Sequence, residues 1–119
     1  QHPHPRAFGT FPRILRKYVR EEKALPLMDA LRKMTVMPAQ RLEARVPSMV
    51  QKGRVRIGAD ADLTIFDPAA VIDRSTYEDA TIPSAGIPFV IVGGQVVVAA
   101  GKLTAARPGR AIRAPVTAK

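Results

Sequence analysis

Only two histidines occur in the 119 residues, and both stand in the opening stretch QHPHPRAFGTF, where His2 and His4 are two apart with Arg6 close behind. Residues two apart in an extended chain project to the same side, so two imidazoles at this spacing could share a divalent cation. A metal centre needs three or four ligands, and the chain has no cysteine to supply one. A third ligand would have to be a carboxylate, and GADADLTIFDP offers Asp60, Asp62 and Asp67. Asp60 and Asp62 stand at a strand start, where aspartate ordinarily bonds to nearby backbone, and Asp67 precedes Pro68 in a strand-ending turn. The ligand count therefore argues against a metal site made wholly within this chain.

Other chemistry is sparser. Ser48, Ser75 and Ser84 lie in loop-like sequence with no nucleophile-elbow pattern, and the histidines are remote from them. The glycine pair of IVGGQVVV sits between two apolar runs, whereas a phosphate cradle needs a glycine loop that opens a helix. On these residues alone, the chain is a folded module without a catalytic constellation.

The elements that must place these residues follow from periodicity. Residues 1–10 carry prolines and no period, which predicts a loop. In FPRILRKYVREE, Phe11, Ile14, Leu15, Tyr18 and Val19 fall at helical spacing, with Thr10 as cap and Pro12 in the first turn. Arg13, Arg16, Lys17 and Arg20 form a basic stripe away from that face. LPLMDALRKM predicts a second amphipathic helix ending by Pro38, and PAQRL adds a short turn; the helical segment spans 11–45. Beyond Gly53 the period shortens to that of strands. RVRIG alternates, DLTIF is a short strand, and the runs around Gly93-Gly94 predict a tight antiparallel hairpin over 89–99. Residues 68–88, with Pro68, Pro83 and Pro88, read as a long surface connection. The β-rich segment spans 53–106, and 107–119 is a basic tail. This order of elements is α+β.

Composition bounds the function. With 46% hydrophobic and 24% charged residues the chain is globular rather than disordered. No apolar run approaches the ~20 residues that span a bilayer, and no signal-like core opens the chain, so no membrane partner is expected and the cytoplasm is the default. The absence of Met at position 1 is expected of a processed product or a fragment. A net charge of +9 raises an anionic partner such as nucleic acid, through Arg13, Arg16, Lys17 and Arg20. With six aromatics and no stacking platform, a solvated basic face is the better account of that stripe.

Three ordered motifs carry a resemblance: the helix with ALRKMTVMPAQRL, the strand GRVRIGADADLTIFDP, and the closing hairpin VIVGGQVV with RPGR after it. Their order resembles the C-terminal end of the amidohydrolase superfamily. HPHPRAFGTFPRIL narrows the resemblance to the N-acyl-D-amino-acid deacylases, or D-aminoacylases. The resemblance implies that a (β/α)8 barrel, which needs about 250 residues, lies outside this chain. It implies that the metal ligands, zinc in the parent enzyme, and the general-base aspartate lie outside too. His2, His4 and Arg6 would then follow the last barrel strand and line the mouth of the substrate pocket without binding metal. The helices would pack on the end of the barrel, and the β unit would be half of a small composite sandwich in which Asp60 and Asp62 form a structural turn. The implied reaction is attack of metal-activated water on an amide carbonyl, releasing a carboxylate and a D-amino acid. The isolated chain is expected to be inactive and either to join the barrel portion or to self-associate. The competing readings are a stand-alone basic binding module and a noncatalytic relative that acts through protein contacts.

Overall fold

The computed structural model describes residues 3–115, and it is α+β: two helical arms followed by a four-stranded antiparallel sheet. The first arm begins with α1 (Arg6–Arg13), so the loop expected over residues 1–10 is shorter than its composition implies. Pro5 precedes the helix in helical geometry and its carbonyl accepts from the Gly9 amide at 3.0 Å. Gly9 is buried. A Cβ built there would lie 3.2 Å from Asp73 Cβ, so the glycine that reads as a loop residue instead lets a helix approach another segment closely.

Pro12 consequently falls inside the helix rather than in its first turn. It has no amide to give to the Phe8 carbonyl one turn back, and the Ser84 hydroxyl donates to that carbonyl at 3.5 Å. The helix then continues as a π-helix (Ile14–Glu21), with the Glu22 amide bonded to the Lys17 carbonyl five residues back. Side chains five apart face each other in this wider coil, and two ion pairs use the spacing: Arg16 with Glu21 at 3.1 Å and Lys17 with Glu22 at 3.6 Å.

The second arm is α2 (Leu27–Met34) and α3 (Val36–Glu43), broken at Thr35. Pro38 could not donate to the Met34 carbonyl, so α2 cannot run on, whereas in the first turn of a new helix proline is tolerated. Thr35 turns its hydroxyl back onto the Leu31 carbonyl at 2.7 Å. A short 3₁₀ turn, Pro47–Gln51, follows.

The sheet is a meander, β1 (Leu63–Ile65), β2 (Phe89–Val92), β3 (Gln95–Ala99) and β4 (Lys102–Leu103), in that spatial order. Gly93 and Gly94 turn the β2–β3 hairpin with φ of 55° and 78°, the positive values that its tight turn requires. Val90 pairs with Val98 but Ile91 pairs with Val96, so Val97 is the extra residue of a β-bulge. The strand expected in RVRIG is not formed. Arg54 pairs with Glu43 and Arg56 donates to the Val50 carbonyl, tying the segment to the helical side instead of to a strand partner. Val55 and Ile57 are left exposed, at 86% and 105%.

The core lies between the arms and the strand-to-loop junction: Leu15, Ala30 and Val71, surrounded by Ile14, Leu31, Met34, Phe66 and Ile87. Val71 is fully buried at 0% exposure. It belongs to the stretch expected to be a surface connection, which is folded: Ile72 and Ala85 form an isolated antiparallel bridge, and the Asp67 amide donates to the Gly86 carbonyl at 3.0 Å.

Candidate functional site

A cavity of about 510 Å³ opens between the first helical arm and residues 73–78, with His4, Arg6, Thr10, Arg13 and Tyr18 on one wall and Asp73 and Ser75 to Glu78 opposite. Of the three residues expected to form a pocket mouth, His4 and Arg6 lie together here, and His2 lies outside the described residues. The Arg6 amide donates to His4 Nδ1 at 3.0 Å, which leaves the imidazole proton for Nε2. Nε2 lies 3.5 Å from the Tyr77 hydroxyl, and the two rings meet edge to face with centroids 5.2 Å apart. Arg6 and Arg13 stand two turns apart on the helix, and the Arg6 guanidinium makes no ion pair among the described residues.

Asp73 closes the far end of the cavity. Its carboxylate accepts from Arg16 Nε at 2.7 Å and more weakly from Arg13 at 3.5 Å. Burial pushes the Asp73 carboxyl up, but the Arg16 hydrogen bond, the bond from its own backbone amide and the charges of Arg16 and Arg13 outweigh it and hold the group below the usual carboxylate range. The Arg16 guanidinium is raised in turn, first by its hydrogen bond to Asp73.

The basic stripe is therefore not a free cationic face. Arg16 is bound to Asp73 and Glu21, Lys17 pairs with Glu22, and Arg20 donates to the carbonyls of Pro68 and Val71 at 2.9 Å each. Arg20 thereby caps the turn that carries Val71 into the core. Nothing in this arrangement supports the nucleic-acid reading.

Asp60 and Asp62 meet in a second cluster, around Lys52. Lys52 pairs with Asp60 at 2.8 Å and also with Asp62, while Asp62 Oδ1 accepts the Gly93 amide at 2.8 Å. The Gly94 amide donates to the Ala61 carbonyl at 3.0 Å. The ADAD stretch is thus a clasp that ties the hairpin turn to the 3₁₀ turn. The hydrogen bond to Lys52, followed by that from Gly93, lowers the Asp62 carboxyl, and its two carboxylate partners raise the Lys52 ammonium, Asp60 foremost. Asp67 caps its own turn through the Ala69 amide.

These partners answer the question of zinc. Among the described residues no three His, Cys, Asp or Glu side chains converge to hold a metal. His4 Nδ1 is occupied by an amide, Asp73 by arginines and the ADAD carboxylates by a lysine, so these donors do not fit a zinc site. Sequence reasoning missed Asp73 and Tyr77. Their signal, a folded segment hidden behind three prolines, becomes legible only once Gly9 is known to be a contact. Among the described residues no helix is long and apolar enough to cross a membrane.

Known proteins share this architecture. The Amidohydrolase family profile matches residues 2–98. The N-acyl-D-glutamate deacylase of Alcaligenes xylosoxydans xylosoxydans is 44% identical over 112 residues, 94% of this chain and 22% of that protein. A crystal structure of D-aminoacylase superposes with a TM-score of 0.84 at 40% identity, over 93% of this chain and 22% of that one. The N-acyl-D-glutamate deacylase from Bordetella bronchiseptica, solved with zinc and a phosphonate inhibitor, gives 0.83 at 38% identity, over 95% and 23%. The chain spans about a fifth of the length of the curated relatives it matches. With that profile running from the HPHPR stretch to the closing hairpin, the chain belongs to the amidohydrolase family.

Proposed function

We propose that this chain is the C-terminal segment of an enzyme that hydrolyses the amide C–N bond of N-acyl-D-amino acids, with His2, His4 and Arg6 at the mouth of its substrate pocket. The observation that carries the reading is the cavity beside HPHPR in a chain 44% identical over 112 residues to an N-acyl-D-glutamate deacylase. Every N-acyl amino acid bears a free carboxylate, and Arg6 offers a guanidinium with no carboxylate partner among the described residues. A planar, permanently charged fork suits that ligand. Zinc is present in the Bordetella relative, and among the described residues no ligand set for it converges; on this reading the segment contributes binding and support, with the metal chemistry supplied by other parts of the enzyme.

On this reading the helical arms pack against the end of a (β/α)8 barrel and the sheet joins strands from elsewhere in the enzyme. The surface supports it. The chain exposes 8961 Å², against roughly 6,300 Å² for a self-contained monomer of this size. The difference is on the scale of an obligate interface. Val55, Ile57 and an apolar groove lined by Phe11, Leu31, Phe66 and Val90 lie on that surface.

The test is a chimera in which this chain replaces the matching segment of a relative of known activity. N-acetyl-D-glutamate, N-acetyl-D-aspartate and a neutral N-acetyl-D-amino acid are supplied with zinc. Release of the free D-amino acid from at least one is expected, with none from the isolated chain, and Arg6→Met is expected to raise KM more than it lowers kcat. A chimera that folds, binds zinc and hydrolyses none of them overturns the reading.

A further inference from the structure

The first helical arm and the residues just before it touch the 73–84 segment at four successive places. His4 stacks its ring edge on Tyr77, the Phe8 carbonyl accepts from Ser84, Gly9 lies against Asp73 and Ser75, and Arg13 and Arg16 reach Asp73. Resting on the reading that the cavity faces substrate, we propose that Asp73 is a positioning residue, which presses residues 73–77 against Gly9 and so holds the His4–Arg6 edge of the cavity in place.

Both Asp73 oxygens already face an arginine: Arg16 Nε donates to Oδ1 and Arg13 reaches Oδ2. Its two bonds are unequal. The short one fixes the far end of the helical arm, while the long one leaves Arg13 half-exposed on the cavity lining. The bare backbone at Gly9 is what lets Asp73 come this close: a Cβ there would lie 3.2 Å from Asp73 Cβ and 3.4 Å from Ser75 Oγ, so segment 73–77 would have to recede. Tyr77 belongs to that segment, and His4 is locked to Arg6 through the Arg6 amide. Moving the segment therefore loosens the wall that carries the Arg6 guanidinium.

The sign of one measurement separates this role from a purely electrostatic one. If Asp73 acted only as a nearby negative charge, Asp73→Asn would tighten the binding of an anion in the cavity. A positioning role has the opposite effect, and Gly9→Ala, which leaves the charge unchanged, should reproduce it. The readouts are the NMR contact between the His4 and Tyr77 rings in this chain and the affinity for N-acetyl-D-glutamate in the chimera that carries it. The Val71 methyl resonances report whether the core stays folded.

Both variants are expected to lose the ring contact and to bind roughly tenfold more weakly, because small displacements of a positioned group are costly. Retention of the ring contact in both folded variants, or tighter binding by Asp73→Asn, overturns the proposal. If the unsubstituted chimera fails to bind the ligand but the ring contact is lost in both variants, the substrate-facing reading falls and the positioning of His4 by Asp73 stands. Should Asp73→Asn fail to fold, Gly9→Ala decides alone.

Discussion

Arg16 and Asp73 meet at 2.7 Å although 57 residues separate them in sequence. The pair joins the π-helix of the first arm to the segment that delivers Val71 to the core. Its partner carboxylate is nearly buried, which sets the consequence of losing it.

Asp73→Ala is expected to destabilise the chain by about 2 kcal/mol, the scale of a hydrogen bond to a charged group whose loss leaves a partner unpaired. The folded-state Asp73 carboxyl is held below its unfolded value. Its contribution is therefore present above the unfolded value, near 3.9, and is lost as pH falls through the lower folded one. Urea midpoints measured between pH 7 and pH 2.5 should converge for the two proteins at the acid end and differ most near neutrality.

Gly86 and Gly94 both have positive φ, yet their replacement should cost very different amounts. A Cβ at Gly86 would stand 2.5 Å from backbone atoms of Ala70 and Val71, whereas nothing lies within 4 Å at Gly94. Gly94→Ala bears only the left-handed strain, about 1–2 kcal/mol, and should fold. Gly86→Ala must also move the backbone of the most buried residue, and far-UV dichroism with urea titration should show little or no cooperative transition.

The Lys52 clasp predicts an effect at the alkaline end. Lys52 is raised in the folded state by Asp60 and Asp62, so its contribution is complete below its unfolded value near 10.4 and is lost as pH rises through the higher folded one. Lys52→Met should lower stability at pH 7 by about 1 kcal/mol, discounted for the partial exposure of its partners. The gap to the unsubstituted chain should begin to narrow only above the unfolded value in a denaturant series run to alkaline pH.

Val55 and Ile57 carry the prediction about association. Both side chains are already in water, so their joint replacement by serine should change the chain's own stability by no more than ~0.5 kcal/mol. If they belong to a covered face, light scattering of the double variant should show weaker self-association, or a chimera should show weaker docking of this segment. Unchanged association would remove this patch from the interface.

The elements made by local pattern were legible in the sequence: the two amphipathic arms, the DLTIF strand and the Gly93-Gly94 hairpin all come from periodicity and turn chemistry that need no partner to be recognised. The misses share one cause. Gly9 and Pro12 read as loop and helix start because their tolerance inside a helix depends on Asp73 and Ser84, more than sixty residues away. RVRIG alternates like a strand, but a strand requires an edge to pair with, and its arginines are held by Glu43 and Val50 instead. Val71 was hidden by prolines that shape a folded turn. At the candidate site, His4 and Arg6 were visible from spacing and resemblance, whereas Asp73 and Tyr77 join it only through tertiary contact.

The cavity also gives the molecule an optical property. There is no tryptophan, and both tyrosines, Tyr18 and Tyr77, line this one cavity. All tyrosine emission from the chain, which excitation beyond the phenylalanine band isolates, therefore originates at the candidate site, so an unlabelled sample reports occupancy there by its own fluorescence.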